Sequence, residues 1–417
     1  MRDSFAGTLR DFLLDTLQTA ARLVPWPTEP GLRRLGTPGP ESPVLVTCNY
    51  DLTVRRLTRA LAGLDAWLVV APAQGINVWC AAAGGILTSS QIVTALKTSG
   101  IDEHVRHRRA VLPQLAATGV IGSEVARRCG WKVRFGPVYA EDIPRYVAAG
   151  LKKDDSMRSV RFGTRERLEM ATAWAAPTSL VAAVVIAFID ATWIVPALAL
   201  VWAMSAGIFL VYDRLPRGRW GIAWSVATAA SVLAVISAGG TSAATIASVI
   251  MPTAVLGLLT FDFAGSTPTE GGSHFESRKW KITLDEDRCA GVYTCWAVCP
   301  EACFEKLEDV RKVALAHDER CIKCGACVVQ CPQDALFFAS DDGRTIAPDT
   351  IRRYKLNLLG TRGVDLGEAE ESGAGEAAAR TGEEADVVEA LGASTGDVTS
   401  CAACSVVTKL TRDSADR

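Results

Sequence analysis

Cys321-Ile-Lys-Cys324-Gly-Ala-Cys327-Val-Val-Gln-Cys331-Pro332 is the stretch that decides how this sequence is organised. Three thiols at x2 spacing followed by a fourth before proline suit the iron of a [4Fe–4S] cube. In two-cluster ferredoxins the fourth Cys of each such run ligates the other cluster. A second run is therefore expected, and it lies upstream as Cys289-x5-Cys295-x3-Cys299-Pro300, with Val292 standing where the second Cys belongs. The exchange of fourth ligands predicts that Cys321, Cys324, Cys327 and Cys299 hold one cube (cluster 2). Cys289, Cys295 and Cys331 are left for the other (cluster 1). Three thiolates fit a [3Fe–4S] cluster, or a [4Fe–4S] cluster with incomplete Cys ligation. Cys303 follows Cys299-Pro300 closely and reads as a small buried residue beside the cluster. Eight of the 13 Cys fall between 289 and 331, and such clustering with CxxC spacing reads as metal ligation rather than disulfides. Residues 281–360 are thus expected to form an α+β ferredoxin domain with two iron–sulfur clusters.

Upstream of it, 264–280 is Gly/Ser/Thr-rich and reads as a linker. Before that lies the apolar part of the chain. Hydrophobic residues are 49% and charged residues 22%, so a mean hydropathy of +0.18 means that apolar residues are concentrated locally. They are concentrated in 169–263, where four stretches, about 172–190, 194–212, 220–237 and 243–262, each approach the ~20 residues that cross hydrocarbon. The links at 190–193 and 238–242 carry no Lys or Arg, whereas 213–219 holds Arg214, Arg217 and Arg219. Lys152, Lys153, Arg165 and Arg167 precede the block and Arg278, Lys279 and Lys281 follow it. Positive charge on one side only predicts a four-helix, multi-pass transmembrane domain in the cytoplasmic membrane, with lipid as its partner and both globular parts in the cytoplasm. The net charge of −2 gives no reason to expect nucleic acid.

Residues 37–168 read as an α/β, Rossmann-like domain. Val44–Cys48 and Ala66–Ala71 are short apolar runs typical of buried parallel strands. Leu52–Leu64 has helical spacing between them, and Trp131–Phe135 alternates as a later strand. Residues 1–36 are expected to be an amphipathic helix (4–24) and a linker. Asp3, Asp11 and Asp15 interrupt any signal-peptide core, and the helix has two candidate seats, the membrane surface or the protein itself. Residues 361–417 are rich in Glu, Ala and Gly and read as a disordered acidic tail ending in Cys401-Ala-Ala-Cys404.

One further motif follows the 66–71 strand: Asn77-Val78-Trp79-Cys80-Ala81-Ala82-Ala83-Gly84. Carboxyl ends of parallel strands are where α/β sheets bind cofactors, but a single Cys there is weak evidence of a ligand. At these residues the sequence resembles HgcA, the corrinoid-protein family of microbial mercury methylation, joined to its ferredoxin partner HgcB. The family's cap-helix signature reads Asn-Val/Ile-Trp-Cys-Ala-Ala/Ser-Gly-Lys. Pro43–Thr47, Asn49-Tyr50, Leu112–Leu115, Gly119-Val120, Gly136–Val138, Ala140–Pro144 and Met157-Arg158 are also family-like, so the resemblance spans nearly all of 43–340.

The resemblance implies cobalamin bound by Thr47, Asn77, Val78, Trp79, Cys80, Ala81 and Ala82, with Cys80 as the axial cobalt ligand and catalytic residue. A thiolate there weakens the methyl–cobalt bond opposite it, which favours transfer to a soft electrophile. The implied activity is methyl transfer to Hg(II), with the fused ferredoxin returning cobalt to Co(I). The implied partners are a folate-linked methyl-donor protein, a low-potential electron donor and Hg(II) or another soft metal held by Cys401 and Cys404. The alternatives are a methyl carrier of one-carbon metabolism that does not act on mercury, or a membrane electron-transfer or metal-binding ferredoxin. The other common cobalt ligand is His in Asp-x-His-x-x-Gly. Asp102-Glu-His104-Val-Arg-His107 lacks the Gly and reads as a solvated polar face. Three positions depart from the family: Ala83-Gly84 for Gly-Lys, Val292 for a cluster Cys, and two residues between the terminal Cys pair.

Overall fold

The computed structural model describes residues 2–22, 24–211, 220–237 and 280–354. The expected 264–280 linker lies outside them apart from residue 280. The span at 243–262, the basic link at 213–219, and the tail with Cys401 and Cys404 lie wholly outside. The chain divides into two compact units, Met1–Val24 with Arg161–Thr269 and Pro25–Val160 with Glu270–Arg417.

The first half of the second unit is an α/β sheet. Strands β2 (Val44–Cys48) and β3 (Ala66–Ala71) are buried along their whole length, as an inner parallel pair covered on both faces must be. They pair in parallel with Val44 opposite Trp67 and Cys48 opposite Ala71. On the other side β2 pairs with β4 (Arg109–Leu112), and β4 with β5 (Lys132–Phe135), both in parallel. β1 (Gly31–Leu35) closes the opposite edge antiparallel to β3, giving the order β1-β3-β2-β4-β5. The change of winding direction falls between β2 and β4, and the crevice at their carboxyl ends is the usual ligand position in such sheets. Helix α2 (Asp51–Ala60) turns Leu52, Val54 and Leu57 inward and is shorter than the 52–64 expected.

The expected linker before residue 37 is corrected. Besides β1, residues 26–28 are tied in by Trp26 N–H to Gly75 O (3.0 Å), Thr28 N–H to Asn49 O (2.8 Å) and Asp51 N–H to Trp26 O (2.8 Å). A side chain at Gly75, whose φ is +69°, would meet Pro27 N at 2.4 Å, so only glycine permits this crossing. His104 and His107 lie on the polar face expected of them, with Asp102, Glu103, Arg106 and Arg108 exposed around them. His104 stacks on Trp67 with ring centroids 4.5 Å apart, and a His107 ring nitrogen lies 3.0 Å from Ser42 O. Both sit at the amino ends of the strands, away from the crevice.

The second half of this unit is an α+β ferredoxin fold. β6 (Trp280–Leu284) pairs antiparallel with β9 (Leu336–Ser340), which also pairs with β10 (Thr345–Ile346). A hairpin, β7 (Phe304–Leu307) and β8 (Lys312–Leu315), lies between the two Cys runs. Its core mixes Trp280, Phe304, Val328 and Phe338 with Cys295, Cys299, Cys303 and Cys327.

The other unit is helical: α1 (Arg2–Ala20), α7 (Thr164–Ile189), α8 (Ile194–Val211) and α9 (Trp220–Ser237), with α3–α6 belonging to the α/β half. Two stretches, Thr164–Ile189 and Ala191–Val211, are long and apolar enough to cross a membrane. They correspond to the first two of the four expected spans, so a four-helix membrane domain is not met among the described residues. Ser205 Oγ donates to Ala171 O (3.1 Å) between them. Arg167 donates to the last carbonyls of α8, Phe209 O (3.5 Å) and Leu210 O (3.3 Å), as cations at helix C-termini do. Leu180, Val181, Val184 and Phe188 stand outward on α7. The N-terminal helix buries Gln18 and Thr19 and leaves Phe12, Leu13 and Leu17 exposed, with Arg22 paired to Glu169 at 3.9 Å.

Candidate functional site

The crevice is assembled from three strand ends. After β2, Asn49 is buried and fully used: its Oδ1 accepts from Ala73 N–H (2.7 Å) and Gly75 N–H (3.0 Å), and its Nδ2 donates to Thr28 O (3.1 Å). This holds the loop leaving β3 in a fixed path. That path delivers Asn77 as the N-cap of α3 (Val78–Ala83), where its Oδ1 accepts from Cys80 N–H at 3.0 Å. An Asn at this position supplies an acceptor for one of the N–H donors that a helix start leaves unpaired. Cys80 is thereby fixed in the first turn, half-buried, while Val78, Ala81 and Ala82 are buried. After β4 comes the 3-10 turn Gln114–Thr118, which packs against α3. A side chain at Gly119 would lie 2.5 Å from Ala82 O and 2.6 Å from Leu87 O, so the two backbones are in direct contact.

Beneath α3, Thr47 is buried and its hydroxyl has only the Cys48 sulfur beside it. Burial pushes the Cys48 thiol up to about 12, and Cys80 lies within electrostatic reach of it. Thr118 Oγ1 is buried with no hydrogen-bond partner. A half-exposed thiol on a small-residue helix, with an orphaned hydroxyl on the turn packed against that helix, fits a bulky amide-rich cofactor that takes one soft axial ligand. Both histidines of the alternative motif are at the other end of the strands.

In the ferredoxin half the two Cys runs have matching backbones. Gly291 (φ +62°) corresponds to Lys323 (+54°), Tyr293 (+59°) to Gly325 (+73°), and Ala302 (+52°) to Asp334 (+52°). Val292 therefore occupies the register of Cys324, as the spacing predicted. Cys331 lines a cleft of about 350 Å³, open to solvent, together with Cys289, Cys295 and Val292. Cys299 lies within interaction range of Cys321, Cys324 and Cys327. No three His, Cys, Asp or Glu side chains among the described residues close on a single ion. Val292 is 56% exposed, so the position without a thiol faces water. Burial, with Cys299 and Cys321 nearby, pushes the Glu301 carboxyl up to about 9.

The two halves dock through groups that sequence reasoning did not single out. Gln114 is buried, and its Nε2 donates to Arg158 O (2.5 Å) and to Cys299 O (3.3 Å). Lys153 Nζ donates to Gln114 Oε1 (2.5 Å) and Ala297 O (2.6 Å). Burial, then the Arg158 charge, lowers its pKa to about 7. Gln330 Nε2 donates to Ala117 O (2.8 Å) and Val120 O (2.6 Å), and Val160 N–H to Pro300 O (2.8 Å). The Arg158 guanidinium lies 4.7 Å over the Trp296 ring. Cys324, Ile322 and Val298 pack on Ala117, with Trp79 of α3 against the same cluster. The helix carrying Cys80 is thus one residue away from the packing around a cluster thiol.

With this geometry in view the comparisons fall into place. Residues 12–147 match the family described as CO dehydrogenase/acetyl-CoA synthase delta subunit, and residues 316–337 match a 4Fe-4S binding domain. The acetyl-CoA decarbonylase/synthase complex subunit gamma of Archaeoglobus fulgidus is 39% identical over 118 residues, 27% of this chain and 24% of that protein. Its counterpart in Methanopyrus kandleri is 34% identical over 125 residues, 30% of this chain and 27% of that protein. Gamma subunit 2 of Methanosarcina mazei is 34% identical over 139 residues, 32% and 29%. The chain therefore spans less than a third of the length of these relatives, from 24% to 29%. The α/β half is thus similar to part of these subunits, and residues 316–337 are similar to a 4Fe-4S binding domain.

The buried amide of Gln114 yields a direct test. Gln114→Ala leaves Cys299 O short of a donor and Lys153 short of an acceptor, a loss of about 1–3 kcal/mol. Amide hydrogen exchange over 114–120 and 295–300 should rise by on the order of tenfold, with 44–48 unaffected.

Proposed function

We propose that this chain is a membrane-attached corrinoid methyl carrier with its own ferredoxin. The observation that carries it is the placement of Cys80, in an Asn77-capped turn at the sheet's carboxyl end, against the packing around Cys324. A corrin supplies a cobalt that in its lowest oxidation state accepts a methyl group and releases it to an acceptor. Cys80 is the thiol that ligates the cobalt. Asn77 would fix that thiol's position, and Val78 and Ala81, buried in the core, would anchor its helix to the sheet. Thr47 and Thr118 offer hydroxyls to the corrin's amide rim. The ferredoxin half supplies the electron: Trp79, next to Cys80 on the same helix, packs against the apolar group that contains Cys324.

The domain matches favour a carrier of the one-carbon kind, related in part to the acetyl-CoA decarbonylase/synthase subunits. Transfer to Hg(II) is the finer reading, supported by the cap-helix resemblance and by the terminal Cys401 and Cys404, whose two thiols can chelate one soft ion. A folate-linked protein is the methyl donor in either case, and a low-potential carrier reloads the clusters. The two apolar stretches of the helical unit are membrane spans, with a third and fourth at 220–237 and 243–262, and the globular parts in the cytoplasm.

Purified chain should show a corrin absorption spectrum. Cys80→Ala should change the cobalt(II) EPR spectrum and lower methyl transfer at least tenfold. An unchanged spectrum with full activity removes Cys80 as the ligand. Comparing cells with and without the gene for methylmercury formation separates the two acceptors.

Cluster 1 is proposed to be [3Fe–4S], or a cube with one iron lacking a thiolate, because Val292 stands in the ligand register. Oxidised protein should give a three-iron EPR signal, and Val292→Cys should replace it with a four-iron cluster. Two fully Cys-ligated cubes in the parent chain would refute this.

Replacing Cys401 and Cys404 with Ala should lower methyl transfer only at limiting Hg(II), leaving cobalamin and cluster spectra intact. Equal transfer at every Hg(II) concentration means that the tail does not deliver the ion.

A further inference from the structure

Cluster 2 has a fifth thiol. Cys303 is 1% exposed and belongs to neither expected ligand set. Its thiol is hydrogen-bonded to both the Cys299 and the Cys321 sulfurs, and its backbone N–H donates to Cys299 Sγ at 3.3 Å. The internal symmetry of the ferredoxin half makes this position informative. Ala302 and Asp334 share the same left-handed φ of +52° after the two Cys-Pro pairs. Cys303 therefore corresponds to Ala335, which lines the cluster 1 cleft beside Cys331 and Pro332. One half places a methyl group next to its cluster and the other places an S–H donor.

We propose that Cys303 is a tuning residue of cluster 2: its thiol donates to the cluster's cysteinyl sulfurs and raises that cluster's reduction potential above the value the same loop would give with alanine. A hydrogen bond to a ligand sulfur favours the reduced cluster, which carries one more negative charge, and such bonds are among the factors that set iron–sulfur potentials. Burial keeps water from competing for the donor. The direction has a consequence for the electron. Cluster 2 is the one whose Cys324 packs on Ala117 and Trp79, so tuning at 303 holds the electron on the side of the α/β half. The inference rests on the iron–sulfur part of the proposed function and is independent of the methyl acceptor.

The test uses the full chain, with EPR-monitored redox titration and with iron and acid-labile sulfide counts. Cys303→Ala, which copies Ala335, should keep its iron and lower the cluster 2 midpoint by about tenfold in the reduction equilibrium, 59 mV for one electron. Cys303→Ser keeps a donor and should restore most of the shift. Ala335→Cys should raise the midpoint of cluster 1 and leave cluster 2 where it was. An unchanged midpoint in Cys303→Ala overturns the proposal, and so does loss of cluster 2 in that variant, since the thiol would then be a ligand. A parent chain whose iron count leaves no room for a second cluster would overturn the cluster reading as well, which separates the two failures.

Discussion

The side-chain amide of Gln114 joins the two halves of the α/β–ferredoxin unit. It leaves the sheet at the end of β4 and donates to the carbonyl of Cys299 while accepting from Lys153. A buried amide of this kind has little tolerance for a partial arrangement, because an unpaired buried donor or acceptor costs more than the bond itself contributes. The turn that carries it also packs against α3. The position of the Cys80 turn, the path of the Cys299 backbone and the seat of Trp79 therefore depend on one polar contact. Gln330 repeats the arrangement from the other side, its amide reaching back to Ala117 and Val120. The residue after it is Cys331, so both cluster loops are held at the residue where their thiols cross over.

What the sequence shows readily is what ligand chemistry and regular periodicity dictate. Cluster geometry fixes the spacing of 321, 324, 327 and 331, and the first run can be aligned to it residue by residue, which exposes Val292. Apolar runs disclosed β2 and β3 because both faces of an inner strand are covered. β1 was missed: Gly31-Leu-Arg-Arg-Leu35 is an edge strand, and Arg34 reaches over the Trp67 ring at 5.6 Å rather than into a core. β4 has only three buried residues, Ala110, Val111 and Leu112, too few for an alternating or apolar pattern to register. The docking residues were invisible for a different reason. Gln114, Lys153 and Gln330 are polar, and their contacts between the two halves each span more than 100 residues. Local propensity carries no information about such pairs.

The Cys80 turn was readable in part. The resemblance implied a short helix at these residues, and the structure has it at Val78–Ala83 with Asn77 capping Cys80 N–H. The support below it was not announced. Asn49 fixes the Ala73–Gly75 loop from a neighbouring strand, and Gly119 allows the turn after β4 to touch the α3 backbone. Both are positioning features that a sequence records only as an ordinary Asn and Gly.

The polar character of the docking surface bears on how the unit would work. Its direct contacts are side-chain amides and one lysine, with a small apolar patch around Ala117, Val298 and Cys324. Interfaces of that composition are typically transient when the partners are separate molecules. Here the partners share one chain, and covalent linkage replaces the cost of association with an effective concentration in the millimolar range or thereabouts. The surface therefore need not be large or apolar to keep the halves together most of the time. Under the proposed function that is an advantage. A methyl donor and a methyl acceptor must each reach the cofactor above Cys80, and a docking surface held by a few exchangeable hydrogen bonds can open and re-form without unfolding either half. An extensive apolar interface would hold the electron source in place more firmly and would close the same crevice to the donor.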